Sequence, residues 1–204
     1  YDSNLNEVNQ SIASEFECLG DDLVWHDLGD WFEVILLEDG YRCWLDGSKV
    51  IVEPFDSQQW DPCVLGEEEI QARIPQVMTW LAQAASRSNT YLWGGTIGPD
   101  FDCSGLIQSA FASEEIWIPR DAYQQEAFCQ QINFDIDLCD ELLPGDLIFF
   151  GSTKKCSHVA LYKGKGLYWH SSGIVNGRNG IALDKLLPNS EDAISFYYQL
   201  FLYI

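Results

Sequence analysis

Along the first fifty residues the apolar positions fall into short, strand-length groups: Leu23 to Trp25, Trp31 to Leu37, Tyr41 to Leu45 and Lys49 to Val52. Glu38-Asp39-Gly40 supplies a tight turn between the middle two. Strands this short pack most simply as a small β-barrel of SH3 type. Pro54 to Gly66 holds two prolines, a glycine and little periodicity, and reads as a linker.

Beyond it the period changes. Glu67-Glu68-Glu69 puts acid in a first helical turn, where the helix dipole favours it, and Ile74, Val77, Met78, Leu81, Ala84 and Ala85 follow at helical spacing. Pro75 is expected near the helix start or at a kink. Further helices are predicted over about Cys103 to Ser113 and Asp121 to Gln130. Strands are predicted over Leu147 to Gly151, His158 to Lys163, Leu167 to Ser171 and Ile194 to Ile204, with a turn at Lys163-Gly164-Lys165-Gly166. Helices followed by antiparallel strands make an α+β pattern. The organisation expected is a small SH3-like barrel over residues 1–55, a linker over 56–70 and an α+β domain over 71–204.

Charge sharpens this division. Residues 1–70 carry 18 acids and 2 bases, residues 71–204 carry 14 acids and 9 bases, and the net charge is −21. Phosphate backbones and anionic lipid surfaces would repel such a chain, which excludes nucleic acid and membrane surfaces as partners. At 47% hydrophobic residues there is ample material for a core, yet the apolar runs are strand-sized, so no membrane-spanning helix is expected. Seven cysteines (18, 43, 63, 103, 129, 139 and 156) form no CxxC pair and no zinc-type spacing, and their odd number leaves at least one thiol unpaired. A reducing, cytoplasmic compartment or a reactive cysteine is the natural reading. The chain starts at Tyr1, which is compatible with a trimmed leader, and no stretch has the pattern of a charged segment followed by an apolar signal core.

The stretch from Tyr91 to Leu106 is the most informative: a glycine-rich loop ends in Asp102-Cys103-Ser104-Gly105 where a helix should begin. Backbone N–H groups at a helix start can lower a thiol pKa from about 8.5 to roughly 3.5–7.5, favouring the nucleophilic thiolate. On this pattern alone, a small buried Cys103 behind a capping Asp102 stands as an equal reading. The histidines shift the balance. A hairpin centred on Gly164 would set His158 and His170 opposite each other on one sheet face, where one imidazole could orient the other. With a helix-start cysteine they match the nucleophile, base and orienting group of cysteine hydrolases.

Tyr91-Leu92-Trp93-Gly94-Gly95, Asp102-Cys103-Ser104-Gly105, Pro119-Arg120 with Gln124, Leu143 to Phe150, Ser157-His158-Val159 and His170-Ser171-Ser172 together resemble the NlpC/P60 cysteine peptidases. These papain-like enzymes act on bacterial cell-wall peptides. The first strands look like the bacterial SH3 domain of cyanobacterial-type members. The resemblance implies Cys103 as nucleophile, His158 as general base, His170 as the residue holding that imidazole, and Tyr91 beside the reacting carbonyl, with no metal or cofactor. Members of this type cut the murein stem peptide L-Ala-γ-D-Glu-diamino acid after D-Glu and require a free L-Ala amine. By resemblance Asp102 and Ser104 would receive that ammonium, Trp93 would wall the pocket and Tyr41 would reach into the cleft from the first domain. Ala122 stands where many relatives have serine. Arg120 reads as a scaffold ion-pair partner and Asp146 as a turn carboxylate. Rival readings are an amidase or acyltransferase of the same superfamily, and a catalytically idle murein-peptide-binding protein.

Overall fold

The computed structural model describes residues 16–18, 31–36, 39–49, 64–132, 142–152, 155–176, 178–186 and 201–203. The chain divides into two units, residues 1–63 and 64–204. In the first, β1 (Phe16–Cys18), β2 (Trp31–Leu36) and β3 (Arg42–Asp46) form an antiparallel sheet in that order. The β2–β3 turn closes with Gly40 donating to Leu36 O at 2.8 Å, and Gly40 adopts a left-handed φ of 69° that costs glycine little. Strand β1 was not expected. The expected strand Leu23–Trp25 and most of the linker lie outside the described residues. So does the 50–52 part of the strand expected over Lys49–Val52, while Lys49 itself sits in the turn after β3. The SH3-type barrel rests largely on those same undescribed stretches.

The second unit opens with α1 (Glu67–Ala85), whose start is fixed by Glu69 accepting from the Gly66 N–H at 2.9 Å. Pro75 lies well inside this helix, not at its start. Its missing N–H removes one intrahelical bond, and its own carbonyl accepts from the Thr79 hydroxyl at 2.9 Å. Helices α2 (Cys103–Ala112) and α3 (Ala122–Phe128) follow. The sheet comprises β4 (Leu147–Ser152), β5 (Lys155–Gly164), β6 (Leu167–Ser172), β7 (Gly180–Lys185) and β8 (Phe201–Tyr203), antiparallel throughout in the order β7-β6-β5-β4-β8. Strand β7 was not predicted, and of the strand expected over Ile194–Ile204 only β8 falls among the described residues.

Alternation along β4 and β5 sorts the core into two faces. Leu147, Phe149, Val159 and Leu161 meet the helices through Ile74, Val77, Leu81, Leu106, Ile107 and Phe111. Ile148, Phe150, Ala160, Tyr162 and Tyr168 pack with Leu142 and Leu186 on the other side. Helix α2 therefore lies on β5 and β6, which brings its first turn to the strands that carry the histidines.

The β5–β6 hairpin departs from the predicted centre. Its pairs are Leu161↔Trp169 and Tyr162↔Tyr168, with a bulge before Gly164↔Leu167. Gly164, Lys165 and Gly166 all have positive φ, so the chain reverses at Lys165-Gly166 and the extra residue stays in β5. Carried along the ladder, this register sets Ala160 rather than His158 opposite His170.

Candidate active site

Asp102 is the N-cap of α2, in extended backbone conformation, with Oδ1 accepting from the Gly105 N–H at 2.7 Å. Its other oxygen accepts from the Gly94 N–H at 2.9 Å, which ties the glycine loop to the helix start. Arg120 donates to both oxygens, at 3.2 and 2.8 Å, and to Ser104 Oγ at 3.0 Å. All three side chains are buried. The expected ion-pair role of Arg120 thus has a specific partner, and with the Ser104 hydroxyl donating to Oδ1 at 3.4 Å Asp102 already holds five donors. A carboxylate offers about four lone-pair sites, so a substrate ammonium at Asp102 would have to share them.

Cys103 is the first residue of α2 and is buried. Its thiol differs from expectation: burial, together with the adjacent Asp102 charge, pushes it up to about 11. The backbone amides of Val159, Ser104 and Cys103 act the other way and are outweighed. The helix start therefore supplies donors to the sulfur without producing a resting thiolate. Val159, whose amide acts on the thiol, is the neighbour of His158 on β5.

His158 and His170 are buried together, with Nε2 of the first 2.9 Å from Nδ1 of the second and the rings edge to face. They meet diagonally across β5 and β6. Phe150 flanks His158 and Tyr168 flanks His170. Burial, and secondarily His170, hold His158 well below the ordinary imidazole range. His170 Nε2 lies 3.0 Å from Asp184 Oδ2. Arg178 donates to Asp184 Oδ2 through Nε at 3.3 Å and to Oδ1 through Nη2. Burial pushes Asp184 up, but the bonds and charges of His170 and Arg178 prevail and hold it below the usual carboxylate value. Sequence reasoning missed Asp184 and Arg178 because it missed β7. The available signal was the run Gly180–Lys185 behind the turn residues Asn176-Gly177-Arg178-Asn179.

Side chains outside this row fix the loop against the strands. Ser171, next to His170, donates to Phe101 O at 2.7 Å, two residues before Cys103. Asn89 accepts from the Ile181 N–H at 2.8 Å, and Asn179 accepts from the Tyr91 N–H at 3.3 Å. Gln125, fully buried, donates to Ser104 O at 3.2 Å and Pro119 O at 2.8 Å. It is the buried tie of this segment, whereas Gln124 accepts from the Asp121 N–H to cap α3.

Tyr91 pairs with Phe101 in an isolated bridge, and its ring lies over Gly173, just beyond β6. Trp93 is 87% exposed, so within this unit it walls no closed pocket; a side chain in the loop tip has nothing to pack on. Tyr41 belongs to the first unit, is half-buried and donates its N–H to Asp39 at 2.9 Å. Asp146 closes a turn by accepting from the Leu143 N–H at 2.7 Å. A groove of about 460 Å³ lined by Trp80, Arg87, Pro99 and Phe101 includes none of the predicted chemical groups. Among the described residues no cluster of His, Cys, Asp and Glu could hold a metal ion.

Residues 88–186 match the model of the NlpC/P60 family. The chain is 40% identical over 87 residues to the bifunctional muramidase/DL-endopeptidase CwlT of Bacillus subtilis (strain 168), covering 40% of this chain and 25% of that protein. It is 39% identical over 84 residues to a gamma-D-glutamyl-L-lysine dipeptidyl-peptidase of the same organism, covering 40% of this chain and 27% of that protein. A crystal structure of an NlpC/P60 family protein from Bacillus cereus ATCC 10987 superposes with a TM-score of 0.48 at 24% identity, over 89% of this chain and 51% of that one. The chain thus spans about a quarter of the length of the two curated relatives.

Proposed function

We propose, on the match of residues 88–186 to the model of the NlpC/P60 family, that the protein is a cysteine endopeptidase. Its substrate would be the murein stem peptide with a free N-terminal L-Ala, cut at the γ-D-glutamyl-L-diamino acid bond. The observation that carries the reading is the buried row of His158, His170 and Asp184, joined by contacts of 2.9 and 3.0 Å, on strands against which the helix that starts at Cys103 packs. The names of the two relatives support the bond assignment, since one is a DL-endopeptidase and the other acts on gamma-D-glutamyl-L-lysine.

The chemistry follows from the resting protonation states. A thiol pushed up to about 11 and an imidazole held well below its usual range are both uncharged near neutrality. Proton transfer from Cys103 Sγ to His158 therefore accompanies attack of the sulfur on the D-Glu γ-carbonyl, as general-base catalysis. The Cys103 N–H, with Tyr91 beside it, would stabilise the oxyanion. His158 then gives its proton to the leaving amine of the diamino acid. Water, deprotonated by the same ring, hydrolyses the thioester to release L-Ala-γ-D-Glu and restore the thiol.

Asp102 is neutralised by Arg120, so recognition of the free amine should sit at the lower end of a charged hydrogen bond, about 1.5 kcal/mol or roughly tenfold. Mass spectrometry of products from L-Ala-γ-D-Glu-meso-diaminopimelate, with the amine free and acetylated, tests both parts. Release of diaminopimelate with about tenfold preference for the free peptide is expected. Cleavage at another bond would overturn the assignment, and equal turnover of both peptides would overturn the amine requirement.

A further inference from the structure

We infer that Asp184, held by Arg178, is a positioning residue that sets the tautomers of both active-site imidazoles, so that His158 keeps an unprotonated Nδ1. This inference rests on the proposed function for its catalytic meaning and on geometry for its substance. Asp184 comes from β7, is almost fully buried, and receives three contacts: His170 Nε2 at 3.0 Å, Arg178 Nε at 3.3 Å and Arg178 Nη2.

An ionised carboxylate only accepts, so the proton between Asp184 and His170 sits on His170 Nε2. In a neutral ring the other nitrogen then carries the lone pair, and His170 Nδ1 accepts. The group 2.9 Å away is His158 Nε2, which must donate to it. His158 Nδ1 is left as the basic nitrogen, the form needed to take a proton from the thiol. One acceptor at the far end thereby fixes the direction of both hydrogen bonds that join Asp184, His170 and His158. With a donor in place of the carboxylate, the same rings in the same positions could run the opposite way, with a proton already on His158 Nδ1. Arg178 contributes by engaging both carboxylate oxygens, which holds the plane of Asp184 and disfavours its protonation.

The test uses the full-length protein with ¹⁵N-labelled histidine. The chain has three histidines, so His26→Gln assigns the spectrum and leaves the two active-site rings. Two-bond ¹H–¹⁵N correlations at neutral pH should show both rings protonated at Nε2. A proton on Nδ1 of either neutral ring in the wild-type protein would overturn the inference whatever the enzyme cleaves. In Asp184→Ala, His158 should lose its single tautomer, and kcat should fall at least tenfold with KM changed less than about twofold. Should Asp184→Ala fail to fold, Asp184→Leu fills the space without an acceptor and is read the same way. A folded variant that retains the wild-type tautomers or full kcat would also overturn it. If neither protein cleaves the stem peptide, the tautomer result stands apart, because it needs no substrate.

Discussion

Gly105 on α2 lies so close to the carbonyl oxygen of Gly95 that a Cβ added there would stand 2.0 Å from it. The same oxygen accepts from the Asp102 N–H at 3.2 Å, so one peptide group registers the glycine loop against the helix start. Glycine within a helix costs about 0.5–1 kcal/mol relative to alanine, yet at this position the approach of backbone to backbone requires it. Gly105→Ala should therefore destabilise the protein by about 1–3 kcal/mol despite its better helix propensity. Displacing the loop that leads to Cys103 should also lower kcat/KM at least tenfold. Urea unfolding and kinetics of one preparation check both, and a neutral result would mean that the loop yields freely.

Cys103→Ala should abolish hydrolysis and leave the unfolding transition nearly unchanged, because the thiol adds little core volume. Cys103→Ser should be equally inactive, since a buried hydroxyl keeps its proton. The resting state of the thiol can be read by alkylation. With the sulfur pushed up to about 11, the iodoacetamide rate should climb through the alkaline range without a plateau between pH 5 and 8. Such a plateau would reveal a preformed thiolate–imidazolium pair and would move catalysis away from general-base attack.

The elements that sequence could place were those with a strong local signal. Asp102-Cys103-Ser104-Gly105 sits at a helix start because Asp caps well and the apolar residues after it recur, and α2 begins at Cys103. The pairing of the histidines was legible in kind but not in register, because the bulge before Gly164 shifts the ladder in a way no alternation pattern encodes. Asp184 was invisible for a related reason. A lone acid on a short strand reads as a solvated side chain until the fold buries it against His170 and Arg178. The thiol was misjudged because helix-start donors are a local feature, whereas its burial comes from tertiary packing. Asp102 was likewise assigned to substrate without its partner, since Arg120 lies eighteen residues away and meets it only in the folded chain.

That pair makes its own prediction. Arg120 and Asp102 bury a bidentate ion pair whose remaining valences go to Gly94, Gly105 and Ser104. Removing one partner strands a buried charge, for which about 3–5 kcal/mol is typical. Arg120→Met should therefore cost about 3 kcal/mol or more in urea, and adding Asp102→Asn should recover part of the loss. If the two losses instead add in the double variant, the pair is not coupled and the buried row of Gly94, Asp102, Ser104 and Arg120 is not what secures the loop.

Stability against pH should carry the mark of His158. Its folded-state pKa lies well below 6.5, owing first to burial and then to His170, so between those two values the unfolded chain binds a proton that the folded chain refuses. Stability rises with pH wherever the unfolded state holds more protons. The contribution is thus fully present above about pH 6.5 and is lost as the solution is acidified. The slope for one group approaches 1.36 kcal/mol per pH unit. Asp184, held below its usual value of 3.8, adds a second loss only at lower pH. At the alkaline end the sign reverses, because Cys103 and Cys129 at about 11 and Cys156 at about 12 keep protons that the unfolded chain releases near 9. Urea titrations across the range should give a stability maximum between about pH 6.5 and 9. His158→Gln should flatten the acid limb between pH 6.5 and 4 while leaving the alkaline limb unchanged. An acid limb as steep in that variant as in the wild-type protein would show that the His158 ring is not held neutral in the fold, and the general-base step would lose its resting state.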